Sequence, residues 1–384
     1  MTSQSISAAF AHWTGRPAAG LVRAPGRVNL IGEHTDYNDG FVLPIAIEKH
    51  VLAAWHPRSD NLVRFRSQQA EAEVTVGLDG AIKPVSGSWG NYAAGVVVEL
   101  RAAGIKLGGA DILYESTVPL GGGLSSSAAL EVATALALLQ AAGTPSAVQG
   151  RELALLCQRA ENSFAGAPCG IMDQSIVLMG QAGRAMLLDC RSGQARQVPF
   201  DDPRLVLLVA DTQVKHNVGE GGYPLRRRQC HEAAARLRVK ALRDVAPGQF
   251  AQAVEAGTLD GVYLKRARHV VGEIQRTLEA VAALERGDMV HFGRVMNASH
   301  ASLRDDFEVS CAELDAIVSA AQGCRGVYGA RMTGGGFGGC AIILAEAASA
   351  EPVAQAVGEA FAAKYGRRCP VFATRAAAGA AVVP

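Results

Sequence analysis

The stretch Val118-Pro119-Leu120-Gly121-Gly122-Gly123-Leu124-Ser125-Ser126-Ser127-Ala128-Ala129 decides how the rest of this sequence is organised. Its three successive glycines remove every Cβ from a turn, so a bulky ligand can approach the backbone amides closely. The serines that follow favour the start of a helix, and residues 130–140 are mostly apolar helix formers. We predict a strand at residues 111–116, a glycine loop, and then a buried helix whose N-terminus would bind phosphate.

A flexible turn with good helix-capping residues would give the same local pattern. The stretch is not a Walker A loop, because no lysine follows the last glycine and none occurs between Lys106 and Lys215. Charge on a bound phosphate would therefore be neutralised by arginine, a metal ion or the helix end. The stretch alone leaves the choice between a turn and a phosphate site open.

The composition of the 384-residue chain is that of a folded protein long enough for two domains, with 49% hydrophobic and 19% charged residues. The formal net charge is only +1, so we expect neither nucleic acid nor a membrane as a partner, and no obligate protein partner is evident. We predict neither a signal peptide nor a membrane-spanning segment from this sequence. Its eight scattered cysteines form no Cys-x-x-Cys pair, which argues against zinc and disulfides and favours the cytoplasm.

A dense polar segment lies near the N-terminus. Closely spaced donors and acceptors of this kind suit a polyhydroxylated ligand such as a sugar. A surface loop would also account for the segment, and so would a metal cluster built on its histidine and carboxylates. The residues concerned are Arg23, Arg27, Glu33, His34, Asp36, Tyr37 and Asn38.

Two carboxylates in the middle of the chain are candidates for chemistry. Residues 151–164 predict a helix with Glu161 near its end, and Asp173 follows the next loop. One carboxylate of such a pair can hold a divalent metal ion, and the other can accept a proton as a general base. Each residue could instead cap a helix end. Trp89 and Tyr223, taken as isolated residues, are more typical of packing than of ligand binding.

Three segments in the right order resemble the motifs of the galactokinase branch of the GHMP small-molecule kinases. Residues 26–38 read Gly-Arg-Val-Asn-Leu-Ile-Gly-Glu-His-Thr-Asp-Tyr-Asn, residues 119–128 match Pro-x-x-x-Gly-Leu-Ser-Ser-Ser-Ala, and residues 334–339 match Gly-Gly-Gly-x-Gly-Gly. Residues 161–174 are also similar to the family segment that carries the magnesium-linked glutamate and the catalytic aspartate. Each motif alone is weak, but together they are specific.

The resemblance implies ATP-dependent phosphorylation of the anomeric hydroxyl of α-D-galactose, by direct in-line transfer with Mg²⁺ as cofactor. Asp173 would be the general base, and Arg27 beside it would stabilise the developing alkoxide. Ser127 and Glu161 would support the metal, and the glycine loop at residues 334–339 would pack near the phosphates and the sugar. The implied sugar-binding residues are Arg27, Glu33, His34, Asp36, Gly170, Asp173 and Tyr223. The implied ATP-binding residues are Gly121, Gly122, Gly123, Leu124, Ser125, Ser126, Ser127 and, for stacking on adenine, Trp89.

The resemblance further implies an α+β fold in two domains with the active site in the cleft between them. The N-terminal domain, residues 1–213, would be similar to domain 2 of ribosomal protein S5, and residues 214–384 would be ferredoxin-like. The boundary follows the apolar run at residues 205–211, which predicts a buried strand.

Two other functions remain alternatives. One is a different sugar kinase of the same family, such as an N-acetylgalactosamine kinase, although Thr35 and Asn38 follow the galactokinase pattern. The other is a galactose-binding protein without activity, which the complete serine motif and Asp173 disfavour.

Overall fold

The computed structural model describes residues 3–214 and 222–383, which form three β-sheets and the helices that cover them. The strands are β1 (Gly20–Asn29), β2 (Phe41–Val42), β3 (Pro44–Pro57), β4 (Leu62–Ser67), β5 (Val74–Gly77), β6 (Ala110–Ser116), β7 (Arg184–Asp189), β8 (Ala195–Pro199), β9 (Leu205–Asp211), β10 (Val327–Thr333), β11 (Cys340–Glu346), β12 (Val371–Thr374) and β13 (Ala381–Val383). The helices are α1 (Ser3–Thr14), α2 (Gly90–Ala102), α3 (Ser126–Ala141), α4 (Gly150–Arg159), α5 (Met172–Met179), α6 (Gly222–Arg236), α7 (Pro247–Glu255), α8 (Gly261–Glu285), α9 (Met289–Asp305), α10 (Ala312–Gln322) and α11 (Ala350–Tyr365). Within these two ranges, no helix has the length and apolar character that a membrane span requires.

The N-terminal sheet carries the first half of the site. Its six strands run in the order β13-β1-β3-β6-β4-β5, and all neighbours are antiparallel except the parallel pair β4 and β6. Helix α3 packs across β1 and β3 and is buried along most of its length, which confirms the prediction of an internal helix after the glycine loop. The Arg27 N–H donates to the Leu124 carbonyl at 3.1 Å, so β1 is joined directly to the loop that leads into α3.

The C-terminal sheet has four antiparallel strands in the order β10-β11-β9-β12. Along the chain, β9 is followed by helices, the hairpin β10–β11, helix α11 and β12. This is the βαββαβ order of a ferredoxin-like domain, as the resemblance implied. Strand β9 is buried on both faces: Val206 and Leu208 belong to one hydrophobic core, and Leu207 and Val209 to another. Burial on both sides explains the uninterrupted apolar run in the sequence.

The strand pairings depart from the predicted division of the chain at residue 213. Strand β9 precedes that point, yet it pairs with β11 and β12 in the C-terminal sheet. Strand β13 lies near the end of the sequence, yet it pairs with β1 in the N-terminal sheet. The pairings therefore place β9 in the C-terminal sheet and β13 in the N-terminal sheet. Such pairings could not be predicted, because partners distant in sequence leave no local pattern.

The helix predicted at residues 151–164 changes its geometry near its end. Helix α4 stops at Arg159, and a π-helical turn, Ala160–Ala165, continues it until Gly166 ends the turn with a left-handed φ of 75°. π-Helical turns are rare and occur frequently at functional sites. Here the turn carries Glu161.

Candidate active site

A cavity of about 310 Å³ lies between the two main sheets. Strand β1, the loop before α3, the start of α5 and the loop after β10 all contribute to its wall. The predicted residues that line it are Arg27, Glu33, His34, Asp36, Gly121, Gly123, Leu124, Ser125, Ser126, Ser127, Glu161, Gly170, Asp173 and Tyr223. The glycines of the third motif also line it, so the structure brings the three sequence motifs together in one cleft.

Arg27 and Asp173 form a two-pronged ion pair at this wall. Arg27 Nε donates to Asp173 Oδ1 at 2.8 Å, and Nη2 donates to Oδ2 at 2.9 Å. Arg27 Nη1 donates to the Gly123 carbonyl at 2.6 Å, which ties the pair to the glycine loop. The Arg27 side chain is only 6% exposed, whereas that of Asp173 is 19% exposed. Because a two-pronged pair fixes the plane of the carboxylate, Asp173 is held in one orientation at the cavity surface.

The loop before α3 has an unusual backbone. Gly121, Gly123 and Ser125 adopt left-handed φ angles of 74°, 70° and 57°. Two of these positions are glycines, but a serine in this region is uncommon and marks a constrained site. Ser125 precedes the first residue of α3 without capping it; its hydroxyl donates to Asp173 Oδ2 instead. The first N–H groups of α3 therefore lack that serine cap, at a wall formed by Ser126 and Ser127, where they suit an anion.

The polar segment after β1 presents His34 and Asp36 to the cavity. His34 Nε2 lies 3.2 Å from the Gly335 carbonyl, which can only accept, so Nδ1 accepts from the Tyr37 hydroxyl at 2.9 Å. Burial lowers the pKa of His34 to about 3, so its imidazole is neutral. Burial, followed by the nearby charge of Asp173, raises the pKa of Asp36 to about 7.

Gly170 and Tyr223 complete this side of the cavity. A Cβ built on Gly170 would overlap with the Asp36 carboxylate, so no larger residue fits without displacing that group. The Tyr223 ring lies 5.5 Å from His34 and 5.2 Å from Tyr37, measured between ring centroids. These aromatic contacts place a flat apolar surface beside the polar groups.

Glu161 and Ser127 are hydrogen-bonded to each other at the cavity wall. The Glu161 carboxylate accepts hydrogen bonds from Ser127, from Gln174 Nε2 at 2.6 Å and from Cys169 Sγ at 3.3 Å. Burial raises the pKa of Glu161 to about 7, and the charge of Asp173 adds to this increase. A cation bound at Glu161 would lower its pKa, against the effects of burial and of the Asp173 charge. The oxygens of Glu161 and Ser127 are ligands that suit Mg²⁺.

The two oxygen donors are not a complete metal site. Across residues 3–214 and 222–383, no group of three or more His, Cys, Asp or Glu side chains is arranged to hold a metal ion. Mg²⁺ in kinases is commonly bound by one or two carboxylates together with substrate phosphates and water. The residues present therefore fit a magnesium ion that is shared with a nucleotide.

Trp89 and Gly122 are predicted site residues that lie outside the cavity lining. The Trp89 indole donates to the Ala72 carbonyl at 3.1 Å and packs edge-on against Tyr114, with 6.1 Å between ring centroids. These contacts are those of a packing residue, and stacking on adenine stays a prediction. Gly122 belongs to the glycine loop, but a Cβ built on it would lie 3.3 Å from Pro119 Cβ and 3.7 Å from Cys340 Sγ.

A buried charged cluster behind Glu33 was not predicted. The Arg331 side chain is fully buried between Glu33 and Glu273, with nitrogen–oxygen distances of 3.4 and 3.9 Å. Glu273 also accepts from Ser299 Oγ at 2.6 Å and from Arg276 Nε at 2.7 Å. Burial alone would raise the pKa of Glu273, but the charges around it, that of Arg276 foremost, lower the pKa to about 2. The only sequence signal for this cluster was the position of Arg331, three residues before the third motif.

Comparison with known families agrees with this geometry. The galactokinase galactose-binding signature matches residues 8–57, the N-terminal domain of GHMP kinases matches residues 91–181, and their C-terminal domain matches residues 280–363. Together with the N-terminal and C-terminal sheets and the glycine–serine loop, these matches define a GHMP kinase.

Individual relatives identify the branch of the GHMP kinases to which the chain is similar in sequence. Galactokinase from Bos taurus is 48% identical over 371 residues, which cover 94% of this chain and 92% of the relative. Galactokinase from Streptomyces coelicolor is 48% identical over 381 residues, which cover 98% and 97%. The crystal structure of Lactococcus lactis galactokinase complexed with galactose superimposes with a TM-score of 0.94 at 33% identity, covering 98% of this chain and 99% of that one. The chain belongs to the galactokinase family.

Proposed function

We propose that this protein transfers the terminal phosphoryl group of ATP to the C1 hydroxyl of α-D-galactose, giving α-D-galactose 1-phosphate and ADP. The relatives' identity over nearly the whole chain supports the reaction, and the structural neighbour that was solved with galactose supports the sugar. The observation that carries the proposal is the Arg27–Asp173 pair, which lies between the glycine–serine loop and the sugar signature in a single cavity.

Asp173 acts as the general base in this proposal. Its carboxylate is held by Arg27 and Ser125 but remains exposed to the cavity, so a sugar hydroxyl can reach it. As the hydroxyl oxygen gains negative charge, the Arg27 guanidinium stabilises it electrostatically. The proposed transfer is direct and in line, because the residues assigned to the base, the sugar and the phosphates line one cavity, so that no intermediate carrier is required.

The remaining polar groups divide between the two substrates. Glu33, His34, Asp36, Gly170 and Tyr223 bind the sugar, since together they line the cavity with donors, acceptors and an aromatic face. The N–H groups at the start of α3 and the loop from Gly121 to Ser127 bind the phosphates, where the helix dipole favours negative charge.

Ser127 and Glu161 would hold Mg²⁺ together with the phosphates. When bound, the ion would neutralise phosphate charge, a task that a Walker lysine performs in other kinases. The same proposal includes a cytoplasmic location, since the eight cysteines are free thiols and seven of the eight lie in apolar cores or pack against them.

The test is ADP release with ATP and a panel of acceptors: galactose, glucose, N-acetylgalactosamine, arabinose, mevalonate and homoserine. We expect turnover on galactose, and loss of that turnover when EDTA removes Mg²⁺. A stronger signal on N-acetylgalactosamine would keep the chemistry and change the substrate. Binding of galactose without turnover of any acceptor would contradict the kinase proposal and favour a sugar-binding protein.

A further inference from the structure

Glu33 is held from behind by the strand that leads into the third motif. Three donors reach its Oε1 atom: the Gly334 N–H at 2.8 Å, Thr333 Oγ1 at 3.3 Å and Arg331 Nη1 at 3.4 Å. Thr333 has a single hydroxyl proton and lies closer, at 3.0 Å, to the Asn29 carbonyl. Gly334 and Arg331 therefore fix Oε1, and Oε2 is the carboxylate oxygen available to the cavity that Glu33 lines.

Arg331 does not depend on Glu33 for its own position. Its Nη1 donates to the Asn29 carbonyl at 3.0 Å, and Glu273 lies on its other side. Glu273 is itself fixed by Arg276, Ser299 and the Gly32 N–H. The guanidinium is thus preorganised within the interior, does not line the cavity, and presents a fixed charge to the back of Glu33.

We propose that Arg331 is a positioning residue for sugar recognition: it orients Glu33 so that Oε2 meets one hydroxyl of the substrate. The proposal rests on the proposed function, because it takes Glu33 to be a sugar ligand. Its consequence is that the C-terminal sheet contributes to the choice of sugar without touching it. A hydroxyl that is read by a fixed buried acceptor is discriminated more strongly than one that meets a mobile group, since the unpaired acceptor is costly when that hydroxyl is missing.

The experiment compares kcat and KM for galactose and its 2-, 3-, 4- and 6-deoxy analogues at saturating ATP. The variants are Glu33→Gln, Arg331→Met and Arg331→Lys. The matched control is Arg276→Met, which removes an arginine from the same cluster that pairs with Glu273 and not with Glu33. Thermal unfolding with and without ATP reports whether each variant is folded.

We expect Glu33→Gln to abolish discrimination against one analogue. Arg331→Met should raise KM for galactose roughly 10- to 100-fold with little change in kcat or in KM for ATP, and should abolish discrimination against the same analogue. Arg331→Lys keeps the buried charge and hence the fold. It should lose part of the discrimination against the same deoxy analogue. Arg276→Met should keep the wild-type profile across the analogues.

Three results would overturn the proposal. One is a wild-type analogue profile in Arg331→Lys and in any folded Arg331→Met; another is an equal loss across all analogues, which a general structural role would produce. The third is a Glu33→Gln variant that retains every discrimination, which would remove Glu33 as a ligand. In each case turnover of galactose by the wild-type protein would leave the proposed function standing, whereas absence of that turnover would reject the proposed function itself.

Discussion

Two arginine–carboxylate pairs, Arg27–Asp173 and Arg331–Glu33, each present a carboxylate to the cavity, and they are built differently. Arg27 grips Asp173 through two hydrogen bonds of 2.8 and 2.9 Å, and the aspartate remains 19% exposed. Arg331 meets Glu33 through one contact of 3.4 Å, and the two side chains are 0% and 3% exposed. An accessible pair can exchange a proton with a substrate, whereas a buried cluster is chiefly a fixed part of the interior. Disrupting the first should impair chemistry. Disrupting the cluster behind the second, through Glu273, should lower stability, whereas loss of the Arg331–Glu33 contact itself should weaken sugar binding.

The largest expected effect comes from breaking the accessible pair with Asp173→Asn. An amide cannot accept the hydroxyl proton, so kcat should fall by about 10³- to 10⁴-fold while the melting temperature stays close to that of the wild type. Steady-state ADP release and thermal unfolding would measure the two quantities. The control is Asp202→Asn, which breaks the exposed pair with Arg204 and should leave kcat unchanged. Appreciable turnover by Asp173→Asn would exclude Asp173 as the base.

Glu273→Gln, in the buried cluster of Glu33, Arg331, Glu273 and Arg276, should lower stability. It leaves the fully buried Arg331 and its neighbour Arg276 without their shared carboxylate, so the free energy of unfolding should fall by about 3–5 kcal/mol. Urea denaturation at neutral pH would measure this loss.

Glu285→Gln provides a control on the same helix. Glu285 forms an exposed pair with Arg196, and its loss should cost less than about 1 kcal/mol. Equal unfolding energies for the two variants would show that the buried cluster has no special weight in the fold.

Gly170→Ala sharpens the comparison by changing the geometry beside the accessible pair without removing a charge. The new methyl group would overlap with the Asp36 carboxylate, so KM for galactose should rise about tenfold, equivalent to about 1.4 kcal/mol, while KM for ATP stays constant. Gly108→Ala is the matched control, since nothing lies within 4 Å of a Cβ at that position. A normal KM for galactose in Gly170→Ala would mean that Asp36 does not bind the sugar.

The smallest effect concerns the pH dependence of stability at Asp36. Its pKa of about 7 in the folded protein exceeds the value of 3.8 for an ordinary aspartate, so the folded state binds this proton more tightly than the unfolded state. Its contribution to stability therefore falls as the pH rises from about 4 to 7 and stays low above that range. Asp36→Asn removes the contribution, and its melting temperature relative to the wild type should be a few degrees higher at pH 8 than at pH 5. An identical difference at both pH values would argue against the raised pKa.

The accessible pair could be predicted from the sequence, and the buried cluster could not. Arg27 and Asp173 lie inside contiguous strings that resemble family motifs, so their numbers follow from the strings. Glu33 and Arg331 are 298 residues apart, and a buried ion pair creates no periodic pattern. The hydrogen bond from Ser125 to Asp173 could not be predicted either. It depends on the left-handed backbone of Ser125, which the loop conformation imposes and helix propensity does not indicate.

The same contrast applies to the fold. The apolar runs at residues 205–211 and in α3 predicted buried elements correctly, because burial on all sides is visible in composition. The sheet to which each strand belongs was harder to predict, since pairing partners such as β1 and β13 are separated by almost the entire chain. Local chemistry therefore predicted elements well, and topology had to come from the structure.

The pairing of β13 with β1 has a consequence for aggregation. Strand β1 carries Arg27, and without β13 it would form the edge of the N-terminal sheet. A chain truncated before residue 381 would contain all the candidate catalytic residues, yet it would expose an open strand edge to neighbouring chains. Residues 381–383 close that edge, so loss of β13 should favour aggregation over a simple loss of catalysis.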